Sequence, residues 1–180
     1  MRPSRLLAAL LALACAASHA AAQAPTVVIL VRHAEKARGG GDDPELTREG
    51  RARARALTDA LADTHVDAIV TTHYRRTRET AAPLATIRRI TPEVVDLRQG
   101  GDQVGRIAQS VRRHAGQVVL VVAHAETVSR IIAALGGPRR PDLCEAEYAH
   151  LFVLVLRPGA EPSLVHSRYG VPDRPSRDCR

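Results

Sequence analysis

The sequence predicts a three-layer α/β/α sandwich on a mostly parallel sheet, with an antiparallel hairpin at its C-terminal edge. Short, β-branched apolar runs of buried-strand length alternate with amphipathic helical patterns from residue 26 to residue 135. Strands joined by such helices run parallel, through right-handed crossovers. Two further strands flank a Pro/Gly turn over residues 157–162, which predicts a hairpin. The chain has 180 residues, 45% hydrophobic but only 2% aromatic, enough for one domain with an aliphatic core.

The elements follow from local patterns along the chain. The predicted strands are 26–31, 66–72, 93–97, 117–123, 151–156 and 163–168, and the predicted helices are 47–63, 73–87, 102–114 and 127–135. Thr47 is the expected N-cap of the first helix. Pro83 predicts either a kink in the second helix or a later start, because it removes an internal hydrogen bond. The apolar face expected on the first helix comprises Ala52, Ala56, Leu57, Ala60 and Leu61, with Arg53 off that face.

Residues 1–24 are predicted to be a secretory signal peptide. A basic start precedes the apolar stretch Leu6–Ala17 and the small-residue site Ser18–Ala20. A lipoprotein anchor on Cys15 is the alternative, but the Leu expected three positions earlier is absent. The apolar stretch is too short for a membrane span, so no stable membrane insertion is expected after cleavage. The domain is expected over 25–171, with a C-terminal tail at 172–180 and a periplasmic or secreted location.

The formal net charge is +7, and Lys36 is the only lysine among 26 basic residues. Such a surplus suits nucleic acid, acidic lipid or phosphorylated small molecules. Nucleic acid is disfavoured because export removes the protein from it and aromatic residues for base stacking are scarce. Compositional bias accounts equally well for the exposed arginines. After signal removal, Cys144 and Cys179 remain, either as one disulfide or as two free thiols.

Cationic and imidazole side chains follow three of the predicted strands. Arg32 and His33 come directly after the first strand, Arg76 follows the second, and His124 follows the strand at 117–123. Because parallel strands end at the same edge of a sheet, these side chains are expected to share one rim, where ligands bind in open α/β sheets.

The chemistry of that rim favours phosphate. Guanidinium groups match phosphate oxygens in pairs, and a neutral imidazole can act as a nucleophile. A metal site built from His33, His124 and Glu35 is the alternative, but zinc normally takes three protein ligands and the two arginines would repel a cation. Unrelated surface histidines would not explain why both follow the two strongest strands.

Four segments resemble motifs of the histidine phosphatase superfamily, the phosphoglycerate-mutase-like group, branch one. Val31–Lys36 is similar to the RHG/RHAE motif, and Leu46-Thr47 with Gly50 is similar to the L-T-x-x-G segment that follows it. Residues 71–81 resemble S-S-x-x-x-R-A-x-Q-T-A, and Val121–His124 resembles V-V-x-H. The motifs occur in the family's order and cover residues 27 to about 135. The chain is shorter than the family's mutases, and it resembles the small phosphohistidine phosphatases, which similarly manage without an evident acid because an imidazole leaving group needs less help.

The resemblance implies a phosphatase with no cofactor and no metal, acting on a phosphorylated small molecule. His33 would be the nucleophile that is phosphorylated and then hydrolysed, while Arg32, Arg76 and His124 would bind the phosphate. The family's proton-donating Glu is replaced by an amide, since the L-x-E segment reads Leu97-Arg98-Gln99 here. The family's Asn after the first His is replaced by Gly39.

The identity of the proton donor is therefore left open. Asp102 is one candidate, Glu126 beside the second histidine is another, and Glu35 serves either as donor or to orient the pocket. We expect an exported phosphatase that hydrolyses phosphomonoesters or phosphohistidine. A catalytically weak or dead polyanion-binding module and a phosphomutase are the alternatives. The substrate and the oligomeric state are not predicted.

Overall fold

The computed structural model describes residues 24–39, 41–98 and 100–173. It confirms the predicted three-layer architecture, with a mixed sheet of six strands between two pairs of helices. The elements in chain order are β1 (Thr26–Arg32), α1 (Arg48–Ala60), β2 (Ala68–Thr72), α2 (Arg75–Arg88), β3 (Glu93–Val95), α3 (Gln103–Arg113), β4 (Val118–Ala123), α4 (Ala125–Ala134), β5 (His150–Leu156) and β6 (Ser163–Arg168).

Strand β1 lies near the middle of the sheet, whose order is β3-β2-β4-β1-β5-β6. It pairs in parallel with β4, where Arg32 is opposite Ala123, and antiparallel with β5. Strand β2 also pairs in parallel with β4. The residues that follow β1, β2 and β4 therefore emerge at one edge of the sheet.

Alternate residues of the central strands pack against opposite helix layers, as the pleat requires. One layer is formed by α3 and α4, which cover the face that carries Val28 and Leu30 of β1. The other is formed by α1 and α2, which cover the face that carries Ile29 and Val31. The strands are buried on both faces, so their sequences are continuously apolar rather than alternating.

Several details differ from the sequence expectations. Ala52 and Ala60 of α1 are exposed, whereas Arg53, expected off the apolar face, is buried. Helix α2 begins at Arg75, two residues after the predicted start, and continues through Pro83. Helix α4 begins at Ala125, two residues before the predicted start.

The predicted signal peptide lies outside the described residues apart from residue 24, as does the tail from residue 174 onward, so both remain predictions. Within the described ranges, no helix is both long and apolar enough to cross a membrane.

Candidate active site

His33 is the residue directly after β1, and its side chain is only 3% exposed. Its Nδ1 lies 2.8 Å from the carbonyl oxygen of Ala34. Because a carbonyl oxygen can only accept, Nδ1 carries the proton and Nε2 keeps its lone pair. Burial lowers the pKa of His33 to about 2; the bond to Ala34 opposes this effect and the charge of Arg32 adds to it. The ring is therefore neutral at ordinary pH, with its nucleophilic nitrogen available.

His124 lies beside His33, with ring centroids 5.4 Å apart in an edge-to-face arrangement. It follows β4 directly, and its Nε2 lies 3.1 Å from Oγ1 of Thr72, the last residue of β2. Burial, followed by the charges of Arg76 and Arg32, lowers the pKa of His124 to about 3. Three parallel strands thus place a second neutral imidazole next to the first.

Arg76 is the second residue of α2 and stacks on Tyr74, with its Cζ 4.0 Å from the ring centroid. The Tyr74 ring lies 5.3 Å from the His124 ring, centroid to centroid. Nη1 of Arg76 is 4.0 Å from Oδ1 of Asp43, and its buried Nε has no hydrogen-bond partner in the described part of the chain. The guanidinium group therefore keeps a donor for an anion.

Arg32 is held by the loop between α4 and β5. Its Nη1 donates to the carbonyl oxygens of Cys144, Glu145 and Glu147 at 2.9, 2.9 and 3.1 Å. Its Nη2 donates to the Glu145 carboxylate at 2.7 Å, and its Cζ lies 4.1 Å from the centroid of the Tyr148 ring. The buried Nε has no partner among the described residues. The guanidinium group is thus fixed in place with Nε–H unused.

The loop that holds Arg32 is itself anchored. Cys144 is disulfide-bonded, and the carboxylate of Asp173 accepts from the backbone N–H groups of Tyr148 and Ala149 at 2.7 and 2.9 Å. The chain's other cysteines lie outside the described residues, so a pairing with Cys179 remains a prediction.

Two of the three carboxylates predicted as candidate proton donors, Glu35 and Asp102, have structural partners, whereas the third, Glu126, is exposed in the first turn of α4. Glu35 accepts from Nε of the buried Arg53 at 2.9 Å and pairs with its Nη2 at 2.8 Å. Asp102 is the N-cap of α3, where its Oδ1 accepts from the backbone N–H of Gly105 at 2.8 Å. Within the described residues, no hydrogen bond or ion pair joins Asp102 to His33 or to the two arginines. The structure thus brings His33, Arg32, Arg76 and His124 together, but not Asp102.

The motif residues around the site hold the exit of β1 in place. The hydroxyl of Thr80 in α2 accepts from the backbone N–H of Ala34 at 2.9 Å. Gly50 in α1 packs so closely on the carbonyl oxygen of Glu35 that a Cβ there would overlap that oxygen. These contacts explain why a glycine and a threonine are needed at positions far from β1 in the sequence.

Sequence reasoning missed the two tyrosines at the site. Tyr148 stacks on Arg32 and lies edge-on to His33, with centroids 6.3 Å apart, while Tyr74 stacks on Arg76. Tyr74 occurs inside the cationic segment after β2, which was a usable signal. Tyr148 follows a polar loop without a recognisable pattern, so only the tertiary fold reveals its place.

The arrangement suits an anion with several acceptor oxygens. Two neutral imidazoles and two guanidinium groups, each with a buried and unused Nε–H, converge at one edge of the sheet. Across the described ranges, no group of three or more His, Cys, Asp or Glu side chains is placed to share a metal ion.

Residues 28–99 match the family model described as the histidine phosphatase superfamily, branch 1. This match covers 72 of the 180 residues of the chain. The matched range contains Arg32, His33 and Arg76, while His124 lies beyond it. No curated protein matches the chain.

Solved structures with this histidine phosphatase fold are similar over most of their length. The protein histidine phosphatase SixA complexed with tungstate has a TM-score of 0.64 at 17% identity, covering 79% of this chain and 96% of that one. A putative phosphohistidine phosphatase SixA from Nakamurella multipartitia has a TM-score of 0.58 at 23% identity, covering 84% and 98%. Mycobacterial glucosyl-3-phosphoglycerate phosphatase has a TM-score of 0.58 at 16% identity, covering 78% of this chain and 97% of that one. At these identities the likeness shows the fold alone.

Proposed function

We propose that this protein is an exported phosphatase that hydrolyses phosphomonoesters or phosphohistidine, without a metal ion, through a phosphohistidine intermediate on His33. The observation that carries the proposal is the fixed tautomer of His33. Its Nδ1–H is committed to Ala34, so Nε2 has a free lone pair near the guanidinium groups of Arg32 and Arg76, each with a buried Nε–H.

In the first step, Nε2 of His33 attacks phosphorus and the bond from phosphorus to the leaving atom breaks. The electron pair of that bond leaves with the departing atom. In the second step, a water oxygen attacks phosphorus, the N–P bond breaks, and its electron pair returns to Nε2. Free phosphate is the product, and the water proton passes to solvent.

Arg32, Arg76 and His124 stabilise the charge on the transferred group. Phosphoryl transfer depends mainly on positioning and on charge stabilisation. Arg32 needs no reorganisation for this role, because four hydrogen bonds and the Tyr148 ring already hold it.

The leaving group's need for a proton separates two classes of substrate. An alkoxide departs poorly without a donor, whereas the imidazole of phosphohistidine or an activated phenolate departs more easily. Because Glu35 and Asp102 have structural partners, we expect faster turnover of phosphohistidine and aryl phosphates than of alkyl phosphates. The same observation favours the second candidate function, a phosphate-binding module without turnover.

The test uses the protein lacking residues 1–24, p-nitrophenyl phosphate and EDTA, with His33→Asn as the matched inactive variant. We expect turnover in EDTA and a phosphoenzyme that is stable to alkali, labile to acid and absent from His33→Asn. Turnover that EDTA abolishes would overturn the metal-independent mechanism. Phosphate binding without turnover of any phosphoester or phosphohistidine peptide would favour the binding module.

Secretion is tested separately, by expressing the full chain and sequencing the N-terminus of the exported product. Cleavage near residue 24 is expected. A product that keeps residue 1 and remains in the cytoplasm would refute export.

A further inference from the structure

A cavity of about 500 Å³ adjoins the cluster of histidines and arginines. It shares two walls with that cluster, because Arg76 and Tyr148 line both. Its other charged lining residues are Lys36, Arg38 and Asp42. The volume falls in the range of small-molecule sites and exceeds what one phosphate group fills. A substrate whose phosphoryl group lies at His33 would therefore extend its leaving group into this cavity.

The cations of this cavity outnumber its carboxylates by three to one, counting Arg76. Lys36 and Arg38 are both exposed. Unlike the side chains of Arg32 and Arg53, theirs form no ion pair or hydrogen bond with any described residue. The Lys36 charge also lies close enough to the cluster to contribute to the lowered pKa of His124.

Two described glycines lie in the loop that carries these cations. Gly39 and Gly41 have φ angles of +94° and +72°, and a Cβ at either would meet nothing within 4 Å. Both glycines line the cavity, so no side chain from either position occupies it.

Resting on the proposed function, we propose that the preferred substrates are small phosphomonoesters whose leaving group carries a second anionic group. Lys36 and Arg38 bind that carboxylate or second phosphate while Arg32, Arg76 and His124 bind the phosphoryl group. Charge-assisted hydrogen bonds are about twice as strong as neutral ones, so two unpaired cations favour such a group over a neutral one of equal size.

The kinetic test compares 3-carboxyphenyl phosphate with 3-carbamoylphenyl phosphate, which differ in charge but little in shape. We expect the ratio of their kcat/KM values to be about tenfold or more in the wild type, the size of one charge-assisted hydrogen bond. The ratio should fall toward one in Lys36→Met/Arg38→Met. The matched control is Arg55→Met/Arg157→Met, which removes the same charge on α1 and on the β5–β6 turn and should keep the wild-type ratio.

The outcomes separate this inference from the proposed function. Equal kcat/KM for the two esters in the wild type would overturn the second anion site while leaving the phosphatase intact. So would a ratio that survives in Lys36→Met/Arg38→Met, or one that the control loses equally, since the effect would then be the field of the whole protein. If the wild type hydrolyses neither ester, the proposed function fails instead.

A readout without turnover then tests the cavity directly. Lys36 is the only lysine in the chain, so acetylation of its ε-amino group, which reacts in the deprotonated form, can be followed by mass spectrometry. The non-hydrolysable 3-carboxyphenylphosphonate should protect Lys36, and 3-carbamoylphenylphosphonate should protect it at least about tenfold less at equal concentration. Equal protection by the two would overturn the inference.

Discussion

The two neutral histidines at the site should make the protein sensitive to mild acid. The pKa values of His33 and His124 are lowered to about 2 and about 3 in the folded chain, from 6.5 in an exposed histidine. Between pH 6.5 and about 3, the unfolded chain therefore binds more protons at these positions than the folded chain does. By linkage, the free energy of unfolding is unaffected by these two histidines well above pH 6.5 and decreases as the pH falls below that value.

The magnitude follows from these values. Lowering the pH from 6.5 to about 5 protonates each histidine in the unfolded chain but not in the folded one, which costs about 1.6 kcal/mol of unfolding free energy per histidine. Together they cost about 3 kcal/mol, a large share of the roughly 5–15 kcal/mol typical of a domain. Burial also lowers the pKa values of His73 and His166, which adds to the loss in the same direction.

The assay is urea unfolding followed by circular dichroism at several pH values, at constant ionic strength and without phosphate. His33→Asn is the matched variant, because its side-chain amide can still donate to the Ala34 carbonyl while its titration is removed. Its free energy of unfolding should fall about 1.6 kcal/mol less than that of the wild type between pH 6.5 and 5. A wild-type free energy that stays flat over this range, or an identical slope in His33→Asn, would refute the buried neutral pair.

Five substitutions at four positions test the other residues. Arg76→Lys should lower kcat/KM for p-nitrophenyl phosphate by the factor that corresponds to about 3 kcal/mol of lost transition-state stabilisation, as expected for loss of an oxyanion donor. Near-full activity would contradict the proposed role of Arg76. Asp102→Asn should keep both the helix cap and the rate of hydrolysis, whereas Asp102→Ala should lower the free energy of unfolding by about 1 kcal/mol. A change in the alkaline limb of the pH–rate profile of Asp102→Asn would instead identify Asp102 as a proton donor. Glu35→Gln should lower the free energy of unfolding, measured in urea, by about 3 kcal/mol because it leaves the buried charge of Arg53 uncompensated. An unchanged urea midpoint would exclude a stabilising pair between Glu35 and Arg53. Gly50→Ala should lower the melting temperature by several degrees through overlap with the Glu35 carbonyl, and calorimetry showing wild-type melting would disprove the close contact.

Much of the fold was predictable because the strands are buried on both faces. The runs at 26–31 and 163–168 gave β1 to within one residue and β6 in full. The parallel order of β1, β4 and β2 then brought His33 and His124 to one edge without reference to side-chain detail. Strand composition and crossover geometry suffice for that inference.

Other features depend on contacts that local patterns do not encode. Arg53 is buried because Glu35 and two C-terminal carbonyl groups accept its hydrogen bonds, which helical periodicity alone cannot reveal. The loop around Arg32 contributes three carbonyl oxygens, and backbone groups carry no sequence signal. Only the three-dimensional path of that loop identifies it as part of the site.

The tyrosines beside the guanidinium groups give this protein a built-in optical reporter. It has no tryptophan and three tyrosines, two of which stack on Arg32 and Arg76. Near-ultraviolet absorbance and emission therefore come chiefly from rings in contact with these two guanidinium groups. Ligand occupancy can be titrated on the unlabelled protein, with Tyr169 as the internal reference.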